Sequence, residues 1–173
     1  IELGDEETAR LLDINVPVIA IGGPNPQLTT LMVDDLAVAR LATEHLIALG
    51  HRDIAHIGAS NEFDIDFHIP THRRQGFELA MADAGIPANP ALFEAAAFTI
   101  EGGFRAAKQL LGRPGERPTA IFAASDEMAI GALLAARELG YRVPEDLSIV
   151  GIDGHELGAF FRLTTVDQFP HRQ

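Results

Sequence analysis

The sequence predicts an α/β fold built on a parallel sheet, and three features carry that prediction. Apolar runs of strand length recur at Ile54–Gly58, Leu92–Ala97, Ala120–Ala124 and Leu147–Ile152. Stretches of helical length, closed by glycine or proline, separate them. Such alternation implies β-α-β crossovers and strands covered on both faces. The third feature is the segment Pro118–Gly154, which reads strand, helix, strand with an acid near each strand end, Asp126 and Asp153. In open α/β sheets ligands bind just beyond the carboxyl ends of the strands. Asp126 and Asp153 therefore fall where a ligand would be met.

Each element has a local cause. Asp5 can cap a short helix over Glu6–Asp13, and Val16–Ile21 reads as a strand closed by the turn residues Gly22 to Pro26. Leu31–Val33 is a short extended piece, after which Asp34-Asp35 opens a helix to Leu49, stopped by Gly50. Ala59–Pro70 is a polar loop, and His72–Ala84 is a helix ended by Gly85 and Pro87. Thr99 or Glu101 starts a helix to Leu111, and Gly112–Pro118 connects it to the next strand. Ser125 and Asp126 offer cap oxygens to the helix that ends at Gly140, and Thr164–Asp167 is a final short strand. A lone parallel strand with one helix cannot bury itself. Residues 1–33 are therefore expected to belong to a second lobe whose other strands lie outside the sequence.

The chain has 173 residues, 47% hydrophobic, enough for one domain or two small lobes with a core. Its 25 acidic and 13 basic residues give a net charge of −12, which argues against this stretch holding nucleic acid by itself. The lack of cysteine excludes disulfide and Cys-zinc frameworks and fits a cytoplasmic protein. No apolar run approaches the roughly 20 residues of a membrane span. The sequence opens at Ile1 without a signal-peptide pattern or initiator Met, so natural sequence is expected upstream.

An ordered set of motifs then accumulates. Val16-Pro17-Val18 is followed by Asp34-Asp35, by HLIALGHR at 45–52 and by Ile54-Ala55-His56-Ile57-Gly58. Arg73-Arg74-Gln75-Gly76-Phe77, Gly102-Gly103, Pro118-Thr119-Ala120-Ile121-Phe122 and Ser125-Asp126-Glu127-Met128-Ala129 come next, then VPEDLSIVG at 143–151 and LTTV at 163–166. In this order they resemble the effector-binding region of the lactose-repressor (LacI/GalR) family of bacterial transcription regulators, over nearly the whole chain. The resemblance implies a periplasmic-binding-protein-like fold: two α/β lobes joined by a hinge, with a small molecule between them. It divides the chain into 1–33, part of the N-terminal lobe; 34–163, the C-terminal lobe; and 164–173, a crossover strand back towards the N-terminal lobe. It further implies a homodimer, an effector that is a sugar or derivative in preference to a purine, and operator DNA bound through a helix-turn-helix absent from this chain. No membrane and no cofactor are implied. A periplasmic sugar-binding protein of a transporter shares the fold and is the alternative.

Five residues are candidates to bind the ligand. Arg73 matches the family's Arg ahead of the Gly-aromatic pair, where a rigid fork of donors suits hydroxyls; otherwise it is a solvated Arg in a first helical turn. Asp153 matches the position after the Val-Gly strand end, where a carboxylate can take neighbouring hydroxyls; it can equally form the turn before Gly154. Ser125-Asp126 stands where the family has Asn-Asp; Ser125 shortens the reach, and Asp126 is read first as a helix cap. Phe98 matches an aromatic that covers a flat ligand face, or is a core residue. The loop Ser60–Pro70 can add contacts through Phe63, Asp64 or Asp66.

Rival chemistries find less support. His68 and His72 have metal-ligand spacing, but Pro70 between them is expected to break the helix that would align them. His155-Glu156 lacks the second His of a zinc protease, and neither a phosphate loop nor GxGxxG occurs. Ser60, Ser125 and Ser148 lack a nucleophile-elbow setting, and His45 and His56 read as core residues. No catalytic pair assembles, so a non-enzymatic, ligand-sensing role is expected.

Overall fold

A computed structural model describes residues 4–14, 16–23, 25–59, 68–115 and 117–168. The chain runs α1 (Asp5–Leu12), β1 (Ile19–Ile21), β2 (Thr29–Leu31), α2 (Asp35–Ala48), β3 (Ile54–Gly58), α3 (Ile69–Asp83), β4 (Phe93–Ala95), α4 (Ile100–Gly112), β5 (Ala120–Ala123), α5 (Asp126–Glu138), β6 (Ser148–Ile152), α6 (Gly158–Phe161) and β7 (Thr164–Val166). Strands β1 and β2 form a two-stranded parallel sheet; the other five form a second parallel sheet in the order β4-β3-β5-β6-β7.

Alternation along the central strands builds two cores, one on each face of that sheet. Ala55, Ile57, Ile121, Ala123 and Ile149 pack with α4 and α5. Ile54, Ala120, Phe122, Val150 and Ile152 pack with α2 and α3. Every residue of β3 and β5 is buried, as expected for parallel strands with helices on both faces.

Several elements differ from the sequence expectation for local reasons. β1 begins at Ile19 rather than Val16, because Pro17 has no N–H to give a ladder. Its parallel partner, Thr29–Leu31, lies two residues ahead of the expected extended piece. Helix α3 starts at Ile69, with Pro70 in its first turn. There the missing N–H has no intrahelical partner to lose, so Pro70 opens the helix rather than breaking it. The predicted strand Leu92–Ala97 splits into a 3₁₀ turn at Pro90–Leu92 and the short strand β4. Helix α6 has no counterpart in the prediction.

Helices α4 and α5 touch through glycine. A Cβ on Gly131 would lie 2.0 Å from the Ile100 carbonyl oxygen, and one on Gly103 would lie 2.1 Å from that of Met128. Both obstacles are backbone, so a methyl must push the helices apart. Gly131→Ala is expected to cost about 1–3 kcal/mol. Gly112, at the end of α4, has nothing within 4 Å of a built Cβ, so Gly112→Ala is expected to be neutral or slightly stabilising. Urea midpoints of the two variants check both signs.

Candidate functional site

The carboxyl ends of β3, β5 and β6 bring together side chains from four elements. Arg73, in the first turns of α3, is only 5% exposed. Its Nε donates to Asp35 Oδ1 at 2.8 Å, its Nη1 donates to the Ala124 carbonyl, and Nη1 also reaches Asp153 Oδ1 at 3.4 Å. Asp35 is the first residue of α2, which Asp34 caps by accepting the Ala37 N–H at 2.9 Å. The two carboxylates offset the cost of burying the guanidinium.

Asp153 directly follows β6 with φ at 129°, a region that costs a non-glycine residue about 1–3 kcal/mol. Its backbone N–H donates to the Val166 carbonyl at 3.0 Å, holding the bend to β7. The side chain stays 39% exposed beside the buried Arg73. Burial lifts its pKa above the ordinary aspartate value, against the pull of the Arg73 charge. The Asp126 backbone N–H also donates to this carboxylate. Four lone-pair sites on a carboxylate exceed these two partners, so acceptor capacity remains for a ligand.

Ser125 and Asp126 divide their roles differently from the sequence expectation. Ser125 is the N-cap of α5 and accepts the Met128 N–H at 3.3 Å. Asp126, fully buried, is the first helical residue. Its Oδ2 accepts the His155 backbone N–H at 2.8 Å and the Thr165 hydroxyl at 2.9 Å. It thus ties α5 to the turn after β6 and to β7. Burial raises its pKa, opposed by those hydrogen bonds. Oδ1 has no partner and lies where a Cβ on Gly151 would be only 2.2 Å away. Removing the Ser125 cap with Ser125→Ala is expected to cost about 1 kcal/mol, read from the urea midpoint.

Phe98 is half-buried and packs against the core on the α4–α5 face. Phe63, Asp64 and Asp66 lie outside the described residues. His68 and His72 place their rings 6.2 Å apart, and no group of three metal-ligating side chains occurs among the described residues. His56 is a core residue, stacked on Phe77 and Phe122 with centroids at 5.1 and 4.8 Å. A cavity of about 540 Å³ opens at the other end of the strands, lined by His45, Arg137, Glu145, Phe160 and Arg162 among others. It is remote from Arg73 and Asp153. Position at the strand carboxyl ends, buried charge and backbone strain all favour the Arg73 wall as the candidate site. Asp35 is the residue missed by reading the sequence for ligand contacts; its place at a helix start, level with the strand ends, was the available signal.

The model of the periplasmic binding protein-like domain matches residues 43–172. The HTH-type transcriptional repressor CytR of Escherichia coli strain K12 is 39% identical over 147 residues, which are 84% of this chain and 42% of the repressor. A LacI-family regulatory protein from Chloroflexus aggregans superposes with a TM-score of 0.83 at 34% identity, covering 98% of this chain and 60% of that one. A transcriptional regulator CelR–cellobiose complex superposes with a TM-score of 0.80 at 33% identity, covering 95% and 50%. The chain thus spans less than half the length of the curated repressor it matches. No helix among the described residues is long and apolar enough to cross a membrane. The chain belongs to the periplasmic binding protein-like domain family, in the form carried by LacI-family transcriptional regulators.

Proposed function

We propose that this chain is the effector-binding region of a LacI-type transcriptional regulator, in which a small molecule, a sugar or sugar derivative, binds between two lobes and controls DNA binding. The carrying observation is the convergence of Arg73 and Asp153 at the strand ends, a buried fork of donors beside a half-exposed acceptor. A hydroxyl can accept from the one and donate to the other. Residues 34–163 form the C-terminal lobe and supply four strands of the five-stranded sheet; β7 (Thr164–Val166) is the fifth and opens the crossover stretch 164–173, and residues 1–33 contribute part of the N-terminal lobe. The cellobiose in the CelR complex supports a sugar over a purine. Phe98 and Ser125 complete the wall, and Asp126 holds its shape.

A ligand touching both lobes binds their open and closed arrangements differently, and that difference is what shifts the equilibrium. In a cytoplasmic homodimer the shift would reorient two DNA-binding heads outside this chain over two operator half-sites. A thermal-shift screen of sugars, nucleosides and bases on the full-length protein tests the reading. A true effector at 100 times its Kd adds about 2.7 kcal/mol of stability and changes operator affinity. Ligands that stabilise the protein but leave operator binding unchanged would favour a transport-type binding protein instead.

A further inference from the structure

The charges around Arg73 restrict what this wall can accept. Arg73 is the only buried Arg or Lys among the described residues. It faces two carboxylates within ion-pair distance, Asp35 at 2.8 Å and Asp153 at 3.4 Å. The Ala124 carbonyl uses a further N–H. A third acid, Asp126, lies close enough to disfavour the Asp153 charge. The neighbouring Arg74 is committed elsewhere, bonded to Glu78 at 2.8 Å and lying 4.2 Å over the Phe93 ring. The one buried positive charge is therefore already matched, and the group left facing outwards is an acid. Nη2 of Arg73 has no hydrogen-bond partner among the described residues and can still donate. It does so from a site with no positive charge to spare.

An oxyanion brought here would lose its hydration and meet a carboxylate without a free cation to repay it. A hydroxyl loses far less and bonds to both groups. We propose that the Arg73–Asp153 wall selects an uncharged, hydroxyl-rich ligand, a free sugar or nucleoside, and rejects its phosphorylated or carboxylated counterpart. This rests on the cleft reading above. Asp35 is then a specificity-determining residue that acts through Arg73, by consuming the charge an anionic ligand would need.

The test is equilibrium titration of the full-length protein, at fixed ionic strength, with matched pairs: ribose and ribose phosphate, glucose and glucose phosphate, cytidine and cytidine monophosphate. The uncharged member of any recognised pair is expected to bind at least about tenfold more tightly. Asp35→Asn, which releases the Arg73 charge, is expected to narrow that gap by raising affinity for the phosphorylated member. A phosphorylated member that binds wild type as tightly as its partner overturns the proposal, as does a panel in which no uncharged member binds. Asp153→Asn separates the two readings. If it leaves an uncharged ligand's affinity unchanged, the ligand is not held at this wall and the cleft reading fails. If it weakens that ligand while the phosphorylated form still binds wild type equally, the cleft stands and the charge selection fails.

Discussion

Arg73→Ala is expected to destabilise the lobe by about 3 kcal/mol, before any ligand is considered, because it leaves a largely buried carboxylate unpaired. Asp35 is only 11% exposed at the side chain and bonds Arg73 Nε at 2.8 Å. The Ala124 carbonyl loses a donor in the same change. Arg73→Lys keeps the charge but not the fork, and one ammonium cannot replace three directed N–H bonds, so an intermediate loss is expected. Asp35→Asn should cost less than Arg73→Ala, since an amide oxygen still accepts from Nε. Urea denaturation with an unchanged m-value checks the order. An Arg73→Ala midpoint equal to wild type would contradict the buried-pair account. Arg73→Ala is also a poor reporter of ligand contact, because folding and binding are lost together.

The second large effect belongs to His56. Its ring is enclosed by Phe77, Phe93 and Phe122, and its Nδ1–H donates to the Phe122 carbonyl at 3.1 Å. Nε2 is buried without a partner, and a Cβ on Gly58 would lie 2.7 Å from it. Burial, reinforced by the Arg74 charge, lowers the pKa from 6.5 to about 4. The folded state thus keeps a neutral ring where the unfolded chain takes a proton. Above pH 6.5 neither state is protonated, and the full contribution is present. Between pH 6.5 and about 4 the unfolded chain gains a proton first, and stability falls by a total of about 3 kcal/mol. Asp126 and Asp153 work in the opposite direction, because their raised pKa values favour proton uptake by the folded state as pH drops. His56→Leu isolates the histidine: over this range its urea stability should fall less on acidification than that of wild type. Parallel pH profiles for the two proteins would contradict the assignment.

The reach of the sequence follows from how local each interaction is. The β5–α5–β6 segment was legible because caps, glycine stops and apolar runs act within a few residues; Ser125 and Thr99 cap where a cap was expected. Asp153 was legible because a strand end in an α/β sheet is a position with known consequences. The work of Asp126 was not legible. Its partners His155 and Thr165 lie 29 and 39 residues away, and a cap motif at a helix start hides a carboxylate that holds two distant turns. The Asp35–Arg73 pair spans 38 residues and appears only when α2 and α3 pack side by side. That pair changes the meaning of Arg73: from a free cation awaiting a ligand to a balanced one that offers donors without surplus charge.

The central claim is that Asp153 holds an effector hydroxyl at this wall. Isothermal titration of the ligand identified by screening, against wild type and Asp153→Asn, tests it most directly. Asparagine matches aspartate in size, so it bears the same backbone strain at this φ of 129°; it keeps an acceptor but loses the charge. A hydrogen bond to a charged group contributes about 1.5–3 kcal/mol, so affinity is predicted to fall roughly tenfold to a hundredfold with the melting temperature little changed. Equal affinity in the two proteins would contradict the account.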